Sequence, residues 1–299
     1  MKRIACILTT LFLLAACSND ESVQLTQEDW TPHISRNVTG GNELRVEGRK
    51  DGVPQFSHIL IPASDDGNAS WKNNECPDGE KVANSNEFIA FAPAGTSLPT
   101  SVTHDGATEY FVDYATSKPS SFTMHPLMSQ LKLHVWVEGT EGEAPQNTQI
   151  NMCTKADLDF PNKGFKNPDD CKRICLGEFV ANGVLEENDR LYNKYSMKTP
   201  LVVIPQTLAA GEEVLWFTIK DAQYYLKPQT PIQLQPGYIT SLTLPVAYVK
   251  PEEDKEEEGE EPLTPPAKKV IAIDHSTITI TSWQWGETIN GNIFNSDNN

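Results

Sequence analysis

The sequence predicts an all-β protein, and three observations carry that expectation. Apolar residues recur at every second position in many short stretches, and few segments hold a 3.6-residue apolar period. Proline is frequent, at 21 residues, and stands between those stretches as turn punctuation. Hydrophobic residues make up 38% and charged residues 22%, the makeup of a chain that buries a core. The 299 residues, less a 16-residue leader, leave 283, which is room for two domains.

The leader comes first. Lys2 and Arg3 form a short positive region, and Ile4 to Leu14 an apolar one too short for a stable span. Leu14-Ala15-Ala16-Cys17 then resembles a bacterial lipobox. The resemblance implies cleavage before Cys17 and acylation of that residue, with residues 1–16 as signal and 17–29 as anchor and tether. More than one acyl chain is what stable anchoring needs. Asp20-Glu21, just behind, is similar to surface-export tethers of Bacteroides-type bacteria.

The strands follow in order. NEFIAFAPAG and EYFVDYA, near residues 86–95 and 109–115, are apolar and aromatic. QLKLHVWVEG (130–139) alternates cleanly, with Leu131, Leu133, Val135 and Val137 on one face and Lys132, His134 and Trp136 on the other. PLVVIPQT (200–207) is a short apolar run. EVLWFTIKDAQYYL (213–226) predicts two strands about a turn at Lys220-Asp221. PIQLQPGYITSLTLPVAYV (231–249) predicts a strand, a Pro236-Gly237 turn and a second strand. Residues 138–199 are polar and punctuated by Gly and Pro, so they are expected to form a loop-rich insert. Residues 250–269 are a linker; eight acids and one lysine fall between Glu252 and Glu261, and like charges with prolines predict an extended tether. Alternation returns in VIAIDHSTITITSWQWG, which predicts one terminal strand over 270–286. The domains expected are therefore 30–118 and 119–299.

Cys6 leaves with the leader and Cys17 takes lipid, so Cys76, Cys153, Cys171 and Cys175 remain. An even number in an exported chain predicts two disulfides of open connectivity. A thiolate zinc site, invited by the close spacing of Cys171 and Cys175, and free thiols are the competing readings.

The formal charge of −17 falls by two, to −19, when Lys2 and Arg3 leave. Such a chain is not drawn to nucleic acid. No hydrolase elbow, zinc-protease helix, phosphate loop or dinucleotide fingerprint is present, and the six histidines lack ligand spacing. Asp65-Asp66-Gly67-Asn68 and Asp157-Leu158-Asp159 do not complete a calcium loop. No catalytic residue, metal site or cofactor is expected, and the chain is not read as an enzyme.

Taken together, NEFIAFAP, SFTMHPLMSQLKLHVWV, LVVIPQT, LQPGYITSLTLPV and ITITSWQWG resemble, in this order, segments of the fimbrillin family, the pilin-like lipoproteins of Bacteroidales. The match covers most of residues 86–137 and 200–286. The resemblance implies two tandem transthyretin-like β-sandwich domains and a surface location on the outer membrane. It also implies a protease cut after an arginine (Arg36, Arg45 or Arg49) that releases an amino-terminal strand. Arg36 is preferred because a strand near Trp30 to Ser35 precedes it. A strand from another subunit then fills the groove. The terminal strand is the expected donor, presenting Ile278 and Ile280 while Thr277, Thr279 and Thr281 face outward. Partners would be other fimbrial subunits, the lipid bilayer through Cys17, and a host or bacterial surface receptor. The alternative is a surface lipoprotein that binds glycan, to which Trp30, Trp71, Trp136, Trp283 and Trp285 would contribute aromatic surface.

Overall fold

The computed structural model describes residues 30–34, 43–63, 67–139, 143–220, 222–247, 269–273 and 277–282. Its all-β architecture consists of two packed units in tandem. The first contains β1 (His33–Ile34), β2 (Leu44–Lys50), β3 (Val53–Pro62), β4 (Ala69–Trp71) and β5 (Glu87–Ala92). It continues through β6 (Ser101–Thr103), β7 (Phe111–Ala115), β8 (Ser121–Phe122) and β9 (His125–Pro126), with the short helix α1 (Gly79–Asn84) between β4 and β5. A six-stranded sheet runs β4-β3-β2-β5-β7-β9. The β2–β3 hairpin closes on Asp51 (φ 52°) and Gly52 (φ 79°), a pair that accepts the left-handed backbone of a two-residue turn.

The β5 sequence EFIAFA is apolar at nearly every position because both of its faces are covered. Phe88, Ala90 and Ala92 pack with Trp30, Ile34, Trp71 and Phe122 on one side. That side is capped by the parallel β1–β8 pair. Ile89 and Phe91 pack on the other side with Leu98, Val102, Leu127, Leu158 and Phe160. The last two belong to the second unit, which thus serves as the other wall of the first.

The second unit opens with β10 (Ser129–Glu138), β11 (Gln146–Asp159), β12 (Gly164–Cys175), β13 (Phe179–Glu187) and β14 (Arg190–Met197). It goes on with β15 (Leu201–Val203), β16 (Gln206–Leu208), β17 (Leu215–Ile219), β18 (Ala222–Leu226) and β19 (Ile232–Leu234). It ends with β20 (Tyr238–Val246), β21 (Lys269–Ile273) and β22 (Thr277–Ser282). Two six-stranded sheets face one another: β13-β14-β10-β20-β22, with β15 beside β10, and β12-β11-β17-β18-β21, with β6 beside β11. Leu131, Leu133, Val135 and Val137 are all fully buried between them, against Ile150, Met152, Phe217 and Tyr224. This is the half-buried strand that the alternation in QLKLHVWVEG predicts.

Two expectations change. Residues 138–199 are not a loop-rich insert but carry four strands, β11 to β14. On β11 the inward positions include Thr148, Thr154 and Ala156, so the alternation is faint in the sequence. β12 and β13 are edge strands with little burial, and their polar composition reflects solvent rather than loop. The terminal segment is two strands rather than one. Across the junction of the two units, β8 and β9 pair with β1 and β7, while β6 pairs with β11. Asp113 reinforces that junction: it accepts from the Thr123 amide at 2.7 Å and pairs with Lys163 of the β11–β12 turn at 2.6 Å. The linker expected at 250–269 lies outside the described residues, apart from Lys269 at the start of β21.

Candidate assembly surfaces

Residues 30–34 form a plug held by few backbone bonds. The β1–β8 pairing is two residues long, His33 with Ser121 and Ile34 with Phe122. His33 and Ile34 donate their amides to Ser120 and Gly67 at 2.9 and 2.8 Å. The side chains are far more committed. Trp30 is 8% and Ile34 2% exposed. The Trp30 ring meets Phe88 edge-on at 5.4 Å and Phe56 at 6.0 Å. Its indole N–H donates to the Pro119 carbonyl at 2.8 Å, and its own carbonyl accepts from the Trp71 indole at 3.0 Å. Withdrawing this segment would leave an apolar groove lined by Phe56, Trp71, Phe88 and Phe122.

The carboxy-terminal strands sit at the opposite extreme. β21 adds in parallel to β18, with Tyr224 opposite Ile271. β22 adds antiparallel to β20, with Leu242 opposite Ile278 and Ser241 opposite Thr279. Each is the edge strand of a different sheet, so the terminal segment borders both layers of the sandwich. The register places Ile278 on the core side with Leu242, yet Ile278 remains 37% exposed. Thr279 and Thr281 are exposed as well. The side chain of Ile280 lies outside the described residues. In the isolated chain this segment therefore pairs back on its own unit.

The sequence profile of the fimbrillin-like family matches residues 112–265, just over half of the chain. The chain belongs to the fimbrillin-like family. No curated protein matches it at a significant level. Among solved structures it is similar to a candidate cell adhesion protein of Bacteroides uniformis, at 12% identity over 82% of this chain and 92% of that one, with a TM-score of 0.48. A candidate cell adhesion protein of Bacteroides ovatus is similar at 14% identity over 83% and 89%, with a TM-score of 0.45. A fimbrial protein of Bacteroides ovatus is similar at 11% identity over 71% of this chain and 46% of that one, with a TM-score of 0.32.

The remaining candidate residues of this fimbrillin-like chain divide sharply. Cys17 and Arg36 lie outside the described residues, as do Trp283 and Trp285. Arg45 and Arg49 both stand in β2, which is bonded by β3 on one side and β5 on the other. Arg45 is 7% exposed, and its guanidinium donates to the Gly95 carbonyl and the Ser57 hydroxyl. Arg49 pairs with Glu47 at 2.6 Å. In the folded chain, cutting at either one would require opening a strand that is paired on both sides.

Cys153 and Cys171 are cross-strand partners on β11 and β12 and form a disulfide. Cys175, at the end of β12, and Cys76, in the first unit, are both exposed. Among the described residues no cluster of His, Cys, Asp and Glu is placed to hold a metal, and no helix is long and apolar enough to cross a membrane. Trp30 and Trp71 are core residues. Trp136 stands half-buried on the outer face of its sheet and has Tyr192 beside it at 6.3 Å. Alternation placed Lys132, His134 and Trp136 together in the sequence, but their neighbours on β14 follow only from the register.

Proposed function

We propose that this chain is a fimbrial subunit or fimbria-associated adhesin that is lipidated at Cys17, carried to the outer membrane surface and joined to its neighbours by strand exchange. A cut after Arg36 would release the segment bearing Trp30 and Ile34. The terminal strands of a neighbour would then enter the opened groove, where backbone bonds supply affinity and alternate side chains set register. The observation that carries this reading is the plug itself. Two core side chains stand just ahead of Arg36: Ile34, on a strand with a two-residue pairing, and Trp30, three residues before that strand. An exposed apolar groove is sticky and unstable, so release and refilling are coupled.

The test is amino-terminal sequencing of assembled material after treatment with an arginine-specific protease. Maturation predicts a chain that begins at Asn37, and Arg36→Ala should stop both the cut and the assembly. Fibres whose subunits all begin at Cys17 would contradict the reading.

A further inference from the structure

One end of the second unit's sandwich holds a cleft of about 470 Å³. Two stretches border it. Ala144 to Thr148 lead into and begin β11, and Cys175 to Phe179 carry the chain from the end of β12 to the start of β13 in the facing sheet. The Leu176 amide donates to the Thr148 carbonyl at 2.8 Å, and the Lys198 amide donates to the Glu178 carbonyl at 2.9 Å, so both borders are tied down. A bulge interrupts the β11–β17 register between Gln146 and Gln149, where Asn147 takes a φ of 50°. Such a bulge re-aims the side chains around it, and Gln146 and Asn147 stand exposed at the rim. A Cβ added at Gly177 would meet nothing within 4 Å, so that side of the mouth is open.

The floor of the cleft is apolar. Phe179 belongs to the core between the two sheets, Ala144 and Leu176 pack against that core, and Pro145 is buried. One polar group interrupts this floor. Thr148 is 4% exposed, and its hydroxyl has no hydrogen-bond partner among the described residues. Buried hydroxyls in folded chains are nearly always paired, so this one marks a point where an occupant can supply a donor or an acceptor. The rim adds the Gln146 and Asn147 amides, and Asn147 is steadied by donating to the Thr218 hydroxyl at 3.4 Å. No lysine, arginine or histidine stands among the described lining residues, so an anion finds no counter-charge. Glu178 is the one acid among them, and it pairs with Lys198 at 3.2 Å, so a cation meets a carboxylate that is already matched.

We infer that this cleft binds a neutral saccharide, one ring of which enters with a hydroxyl on Thr148, its apolar face on Pro145 and Phe179, and further hydroxyls on Gln146 and Asn147. The inference rests on the adhesin reading and names a ligand class for it. An apolar floor with a few convergent polar groups is the makeup of a small-molecule site, and the volume falls within the range of such sites, about 300–1,000 Å³. A wholly apolar ligand would leave the Thr148 hydroxyl unpaired, and a charged one would bury its own charge without a partner. A sugar ring has both an apolar face and neutral hydroxyls around its edge, and so meets both demands.

The experiment screens the full mature chain on an array of neutral and acidic glycans and titrates the best neutral one by calorimetry. Trigalacturonate is the acidic control and sorbitol the polyol without a ring. The expected result is binding of a neutral glycan with little binding of either control. Thr148→Val keeps the side chain's shape and removes its hydroxyl, so it should weaken binding roughly tenfold or more. The denaturation midpoint of that variant should stay at or above the native one, because the hydroxyl has no bond in the chain to lose. Gln146→Ala, at an exposed position, should weaken binding roughly threefold or more, and circular dichroism checks that both variants are folded. Failure of every neutral glycan, equal binding of trigalacturonate or sorbitol, or unchanged affinity in either variant would overturn the inference. Fibre assembly by the same variants reports separately on strand exchange, because neither residue lies in the plug or in the terminal strands.

Discussion

Trp30 concentrates the argument at the scale of single residues. It touches Phe56, Trp71, Phe88 and Phe122 while holding hydrogen bonds at its indole and carbonyl. Trp30→Ala should destabilise the first unit by about 3–5 kcal/mol, read by denaturant titration; a loss under about 1 kcal/mol would show that the plug is not part of the core. Gly48 on β2 makes a similar demand, because a Cβ there would overlap the Phe56 ring. His134 supplies a pH dependence. Its folded-state pKa lies below the ordinary 6.5, at about 4. Between these values the unfolded chain binds more protons, so the contribution of His134 is complete above 6.5 and is lost as pH falls toward 4. The denaturation midpoint should therefore drop from pH 7 to pH 5, and drop less in His134→Gln. Equal drops in the two proteins would show that His134 does not carry this acid sensitivity.

At the scale of elements, the disulfide is the most accessible claim. The Cys153–Cys171 bridge closes a separation of 18 residues, and a loop of that size restricts the unfolded chain by about 3 kcal/mol. Cys153→Ser/Cys171→Ser should lose about 2–3 kcal/mol of stability, and reduction of the native chain should add one pair of hydrogens by intact mass, not two. A second pair would show that Cys76 and Cys175 are bridged as well. The sequence leaves the connectivity of the cysteines open, and the β11–β12 register is what sets Cys171 opposite Cys153; pairing belongs to the register, which a single sequence does not display. β10, β18 and β20 are legible because buried positions alternate with more exposed ones along each, and β17 because it is a short apolar run. β11 was not, since Thr148 and Thr154 occupy inward positions. β12 was hidden by Pro168 and two aspartates, residues suited to an edge that must not pair further. The terminal strand was legible as alternation. Its division between two sheets was not, because alternation says nothing about which neighbour a strand will bond. Ile278 illustrates the same limit: its register sets it opposite Leu242, while its exposure depends on being at an edge.

At the scale of the whole molecule, the two ends of the chain differ in how they are held, and that difference underlies the proposed assembly. The amino-terminal plug is short in backbone pairing and deep in side-chain burial, so its removal leaves an apolar groove. The carboxy-terminal strands are longer in pairing, and Ile278, Thr279 and Thr281 of β22 are exposed. Exchange of β22 into a neighbour forfeits little where Ile278 is already 37% exposed, and intramolecular pairing holds it at home until a groove opens. Deletion of residues 270–299 should leave folded subunits that do not polymerise. The most direct measurement locks β22 in place. Ser241 and Thr279 face one another on the outer side of β20 and β22, so Ser241→Cys/Thr279→Cys can be oxidised to staple the strand to its own unit. Fibre length is then compared by electron microscopy, after trimming with an arginine-specific protease, for the stapled variant and for the native chain treated identically. Strand exchange predicts that the stapled subunits remain monomeric while the native chain forms fibres; stapled subunits that grow fibres of native length would contradict it.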